Sequence, residues 1–190
     1  YLDNLTAFPD VNVVFIADID PARAKEQAEK YGVPGSGSTD ELLARDDIEI
    51  VVNLTIPGAH VEVAMLALAA GKHVWTEKPF ALDRQSGKAL LAEAARRGLR
   101  VSTAPDTFLG AGLQAGKRLI ESDSIGAPLT ALALFQSAGP EPWHPNPDFF
   151  YVRGGGPLFD MGPYYITALI HFFGSVSSVF SNGANDVMVV

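Results

Sequence analysis

The residues with the most chemistry in them stand where apolar runs end. The run His73-Val74-Trp75 passes through Thr76 into Glu77-Lys78-Pro79. An ammonium at the carboxyl end of a buried strand can hydrogen-bond a substrate hydroxyl and stabilise a developing alkoxide. Glu77 can orient that ammonium or meet a cofactor. Pro79 fixes the turn that aims it, through an X-Pro bond of the kind that adopts the cis form. A second acid, Asp18, ends the run Val13-Val14-Phe15-Ile16-Ala17. In a nucleotide-binding sheet a carboxylate at such a place accepts hydrogen bonds from ribose hydroxyls and repels a 2′-phosphate. The first basic residue beyond it is Arg23, so the spacing favours NAD over NADP. Taken alone, Asp18 reads more readily as a solvated acid opening a turn, and Lys78 as a surface lysine.

Three further stretches carry polar groups that could serve a site. Residues 53–60 make a tight strand-to-helix turn in which Thr55, Pro57 and His60, which opens the next helix, are expected to line a cofactor. The glycine run 154–156 precedes a helix expected over about 160–173. Asp160 is expected to cap that helix, and Pro163 falls in its tolerant first turn. Tyr164 is four residues beyond Asp160, so both project from one helical face. The helix beyond is apolar nearly all round and is expected to be buried. A buried helix with a polar start is a catalytic platform; the plainer alternative is an N-cap and a packed aromatic. Trp143, His144 and Tyr151 lie in a proline-rich loop whose aromatic faces suit the C–H surface of a sugar, or simply pack. No second ligand stands at metal spacing from His144, so no metal site is expected.

These groups need a scaffold. Residues 11–18 and 48–55 are nearly continuous β-branched and aromatic runs, as expected for strands covered on both faces. Residues 73–77 and 99–104 read as two more. Asp20-Pro21 is a helix start, with Ala24, Ala28 and Tyr31 at helical spacing and Gly32 as the stop. Ser38 and Glu41 form a capping-box pattern. Helices are expected over about 59–70, with Val61, Met65 and Leu68 on one face, and over 84–97, closed by Gly71 and Gly98. Four alternations of strand and helix predict a doubly wound parallel α/β sheet. The rhythm breaks near residue 123. We therefore expect a dinucleotide-binding domain over 1–122 and the start of an α+β substrate domain with a mainly antiparallel sheet over 123–190, including an extended segment at 126–138 and a hairpin after residue 175.

Composition narrows the partners. The 190 residues are 47% hydrophobic with a formal net charge of −8, which argues against a nucleic-acid or membrane-surface binder. There is no cysteine, and no apolar run approaches the ~20 residues needed to span a bilayer. A cytoplasmic protein is the expectation. No glycine-rich phosphate turn precedes Asp18, although one normally lies about 20 residues before such an acid. We expect the natural chain to extend beyond both ends of this sequence.

The segments IADIDPARA, TIPGAHVEVAMLALAAGKHVWTEKP and GGGPLFDMGPYYITAL, in that order, resemble the Gfo/Idh/MocA family of oxidoreductases. The resemblance covers nearly the whole chain. It implies a Rossmann domain, a C-terminal domain with an open antiparallel sheet, and homo-oligomers (dimers or tetramers) built through that sheet. It also implies hydride transfer between NAD(P) and a hydroxyl-bearing carbon of a sugar, inositol or related polyol. By motif, Lys78 matches the lysine that contacts substrate and nicotinamide, and Asp160 the helix aspartate that orients substrate. Tyr164 stands where many members have the catalytic histidine. A phenol ordinarily keeps its proton at neutral pH, so as a base it needs a nearby cation such as Lys78. Residues 102–110 also depart from an Asn-x-x-Arg-like family pattern. A short-chain dehydrogenase is excluded, because Ala168 and Leu169 stand four residues after Tyr164 and Tyr165, where that class needs lysine. A non-catalytic dinucleotide-binding sensor of the same fold remains the alternative.

Overall fold

Helix boundaries follow the local signals closely. In a computed structural model that describes residues 1–182, Asp20 accepts the backbone N–H groups of Ala22 and Arg23 and starts α2 (Pro21–Tyr31), after a short α1 (Leu2–Leu5). Gly32 ends α2 in the left-handed region. Ser38 and Glu41 bond reciprocally at the start of α3 (Thr39–Leu43). That bonding holds the Glu41 carboxyl below its ordinary range. α4 (His60–Ala69) follows a 3-10 turn at Pro57–Ala59, and α5 (Arg84–Arg97) runs from Asp83, which accepts the Ser86 N–H, to left-handed Gly98.

The chain forms two compact units, one of residues 1–104 with 152–155, the other of residues 105–151 with 156–190. The first holds five parallel strands: β1 (Ile16–Ala17), β2 (Ser36–Gly37), β3 (Ile50–Asn53), β4 (His73–Glu77) and β5 (Val101–Ala104). β1 pairs with β2, and β3–β4–β5 form a second ladder with Asn53 opposite Thr76 and Glu77 opposite Ala104. Its core is Val51, Ala64, Ala67, Leu68, Val74, Leu90 and Ala94, where α4 and α5 cover one face of β3 and β4. Small alanines let α4 lie close on the sheet. Lys72, 4% exposed, sends its ammonium to the Arg45 and Ile48 carbonyls, so its charge is buried against main-chain acceptors.

Strand lengths depart from expectation. Of the run 11–18 only Ile16–Ala17 is strand, because the ladder starts at the bond from Ile16 N–H to the Gly35 carbonyl. β2 lies in a Gly/Ser stretch that reads as loop. It is glycine-rich because Phe15 leans on it: a Cβ at Gly35 would sit 2.6 Å from the Phe15 ring.

The second unit contains α6 (Ala111–Glu121), α7 (Pro157–Asp160) and α8 (Gly162–Phe173). The helix expected from 160 is two helices broken at Met161. Pro163 brings no N–H to continue the ladder, so the helix restarts. Met161, not Asp160, is the N-cap residue of α8, and no side chain caps it. Nor is α8 buried. Ile166, Ile170 and Phe173 are each at least 44% exposed, although Phe172 meets Gly116 of α6, His171 meets Phe108 and Tyr165 meets Phe135. Residues 126–138 form no ladder among the described residues, and Leu129, Leu132 and Leu134 are exposed. The expected hairpin lies partly outside the described residues. No described helix is long and apolar enough to cross a membrane.

Candidate nucleotide and substrate site

Each of the two parallel ladders of the first unit places polar residues at its strand carboxyl ends, which is where ligands bind open α/β sheets. Asp18 follows β1. One carboxylate oxygen accepts the Asp20 N–H at 2.9 Å, and the other lies 3.7 Å from the Arg23 guanidinium. The Asp18 side chain keeps 26% of its surface exposed and Arg23 63%, so both remain within reach of a ligand. The sequence spacing set Arg23 apart from Asp18; one turn of α2 brings the two together.

After β4 the Lys78–Pro79 peptide is cis, as expected of an X-Pro bond here. Glu77 is held at both oxygens: Oε1 accepts the Tyr1 hydroxyl at 2.7 Å and Oε2 the Lys78 backbone N–H at 2.8 Å. Lys78 itself is half-buried.

A polar network ties this turn to the one after β3. Asn53, 2% exposed, donates its side-chain amide to the His60 carbonyl at 3.0 Å. Its Oδ1 accepts the Thr55 hydroxyl at 2.7 Å and the Thr55 N–H at 3.3 Å. His60, 1% exposed, sets Nδ1 2.7 Å from the Pro79 carbonyl and Nε2 2.8 Å from the Thr55 carbonyl. Both ring nitrogens are therefore occupied by main-chain oxygens. His60 offers neither to a ligand, and it bears on the site through the two turns it joins. Thr55 is exposed and Pro57 half-buried beside it. Asn53 was missed in the sequence. The signal was there: with period 2, it shares the buried face of β3 with Val51, an unusual place for an amide unless it is fully bonded.

The second unit holds the other expected residues. Asp160 ends α7 and Tyr164 lies in the first turn of α8, both half-buried. Trp143, His144 and Phe150 pack edge-on, with His144 4.9 Å from Phe150 and 5.5 Å from Trp143 between ring centroids. Trp143 is 66% exposed. His144 Nδ1 accepts the Asn146 N–H at 3.1 Å. The Tyr151 hydroxyl donates to Glu141, which holds the Glu141 carboxyl below its usual range and pushes the Tyr151 phenol up. Among the described residues no cluster of three or more His, Asp or Glu is placed to hold a metal ion.

Parallel β–α units with polar groups gathered at the strand carboxyl ends define a Rossmann-type α/β protein. Comparison with known proteins makes the class narrower. A family model described as "Oxidoreductase family, NAD-binding Rossmann fold" matches residues 1–104, and one described as "GFO/IDH/MocA C-terminal domain" matches residues 113–189. The chain belongs to the Gfo/Idh/MocA oxidoreductase family. It is 33% identical over 172 residues to a dTDP-3,4-didehydro-2,6-dideoxy-alpha-D-glucose 3-reductase of Streptomyces antibioticus, covering 90% of this chain and 51% of that protein. It is 31% identical over 163 residues to a trans-1,2-dihydrobenzene-1,2-diol dehydrogenase of Macaca fuscata fuscata, covering 85% of this chain and 48% of that one. Among solved structures, a mutant of KijD10, a 3-ketoreductase from Actinomadura kijaniata in complex with TDP-benzene and NADP, superposes with a TM-score of 0.80 at 31% identity, over 91% of this chain and 53% of that chain. The chain thus spans about half the length of the curated relatives it matches.

Proposed function

We propose that the protein transfers hydride between a nicotinamide dinucleotide and a hydroxyl-bearing carbon of a sugar, inositol or related polyol. The observation that carries this reading is the Glu77-Lys78-Pro79 turn at the carboxyl end of β4, in the unit matched by the NAD-binding family model. The relatives named for a sugar 3-reductase and a dihydrodiol dehydrogenase support the substrate class.

The residues present fit a dinucleotide. Asp18 offers a partly exposed carboxylate to a ribose diol, and its place at the end of β1 favours NAD. Arg23 beside it is the group that would meet a 2′-phosphate, so NADP is the less favoured cofactor rather than an impossible one. Thr55, Pro57, Glu77 and Lys78 are proposed to line the remainder. When bound, the nicotinamide supplies the hydride acceptor.

The chain's own groups would do the rest. Lys78 donates a hydrogen bond to the substrate oxygen and stabilises negative charge as it develops. Glu77, fixed by Tyr1 and by the Lys78 N–H, keeps the turn in one conformation. Tyr164 is proposed to take the hydroxyl proton, with Asp160 orienting it, and Trp143, His144 and Tyr151 to contact the sugar ring. The exposed Leu129, Leu132 and Leu134 fit a homo-oligomer contact, which light scattering of the purified protein would test.

The experiment is NADH formation with NAD and a panel of sugars and inositols, run for wild type, Lys78→Ala and Tyr164→Phe. We expect loss of turnover by at least about a hundredfold in both variants, within the range of removing an acid–base group. Full turnover in Tyr164→Phe with loss in Lys78→Ala would transfer the base role to Lys78 or a water. NAD binding without turnover on any substrate would favour the sensor alternative.

A further inference from the structure

The mechanism above makes no use of the most deeply buried ionisable ring in the first unit. His60 is 1% exposed, and each of its nitrogens faces a carbonyl oxygen, that of Pro79 at 2.7 Å and that of Thr55 at 2.8 Å. Both distances lie within ordinary hydrogen-bond range. A carbonyl oxygen only accepts. A neutral imidazole has one N–H and one lone pair, whereas the imidazolium has two N–H donors. In either neutral tautomer one of these contacts therefore sets a nitrogen lone pair against an oxygen lone pair. Only the cation makes both bonds.

We infer that His60 is a positioning residue: its imidazolium is a two-ended brace that holds the Thr55 turn and the Lys78–Pro79 turn together, and with them the aim of Lys78. Pro79 is the residue next to Lys78, so a shift of the Pro79 carbonyl is transmitted to the Lys78 backbone through one peptide unit. Asn53 steadies the same brace from below, donating to the His60 carbonyl and accepting from Thr55. The charged groups on the elements packed against the ring are Glu77 and Lys78 in the Pro79 turn and Glu62 on α4. The 54–58 turn carries none, and β3 contributes neutral Asn53. Loss of the ring proton frees one of the two turns.

The brace is tested on the protein alone, and its catalytic consequence rests on the dehydrogenase reading. Long-range proton–nitrogen spectra of the histidine rings distinguish imidazolium from each neutral tautomer. We expect both His60 nitrogens to carry protons in the folded protein; a neutral tautomer there overturns the inference. In the activity arm, His60→Gln carries its N–H donors on a single nitrogen and turns a carbonyl oxygen to the other side, so it cannot bond both carbonyls as the imidazolium does. It should lower kcat by up to about a hundredfold, the loss typical of a ~1 Å misplacement. It should also remove whatever pH dependence of kcat comes from the ring. A His60→Gln enzyme that keeps wild-type kcat and its pH profile overturns the positioning role. A His60→Ala variant checked by thermal melting separates folding loss from misplacement. If wild type turns over no polyol, the dehydrogenase reading fails while the ring spectra still decide the brace.

Discussion

Gly154→Ala is the perturbation whose cost the structure defines most sharply. Gly154 is buried, has φ +92, and lies against Leu82 in the first unit. An added Cβ would sit 2.5 Å from Leu82 Cδ2 and 3.1 Å from Cδ1. Two costs follow. Holding an L-residue at positive φ costs about 1–2 kcal/mol. Pressing a methyl into occupied space costs about 1–3 kcal/mol, at the low end here because a leucine tip can rotate. Gly154→Ala should therefore destabilise the protein by about 2–4 kcal/mol, read as a lowered urea midpoint with an unchanged slope. The two costs separate in a double-mutant cycle. In a Leu82→Ala background the three nearest atoms to the added methyl are gone, so the penalty should fall toward the backbone cost of about 1–2 kcal/mol. A Gly154→Ala penalty below about 0.5 kcal/mol, the range of ordinary surface changes, would refute the argument that residues 152–155 are held against the Leu82 turn. A penalty unaltered by Leu82→Ala would refute the clash alone.

Other outcomes are equally direct. Glu93 is hydrogen-bonded by Arg96 and Arg97, which lowers its carboxyl from 4.5 to about 2. A depressed folded value means stability that is present above the unfolded value and lost as pH falls through the folded one. Denaturant titrations should thus show wild type losing stability between about pH 4.5 and about pH 2, with that acid limb shallower in Glu93→Gln. Leu90→Ala empties a fully buried position in the core of the first unit and should cost about 2–5 kcal/mol in thermal or urea unfolding. Asp18→Ala should weaken NAD about tenfold or more, the worth of one hydrogen bond to a charged group. Arg23→Ala should weaken NADP while sparing NAD, both read by fluorescence titration.

What could be read from the sequence was local. Asp20 with Pro21, Ser38 with Glu41, and Gly32 and Gly98 each act within one helical turn, and each stands in the structure as expected. The parallel α/β alternation and the cis Lys78–Pro79 turn were legible for the same reason. What depends on a partner was not. The extent of β1 is set by where Gly35 begins to accept, and β2 exists only because it runs beside β1. The Asn53–Thr55–His60–Pro79 network joins residues up to 26 positions apart, through main-chain carbonyls that leave no trace in residue type. The break between Asp160 and α8 was announced by Pro163, although its effect on the cap was read one residue off.

The brief return of residues 152–155 to the first unit has a practical corollary. The polypeptide passes from one unit to the other three times, so the two cannot be exchanged between relatives by a single splice. A chimera joined at residue 104 would inherit its Leu82 turn from one parent and the glycine strap against it from the other. Recombination that respects this weave must carry the strap and the turn as a matched pair.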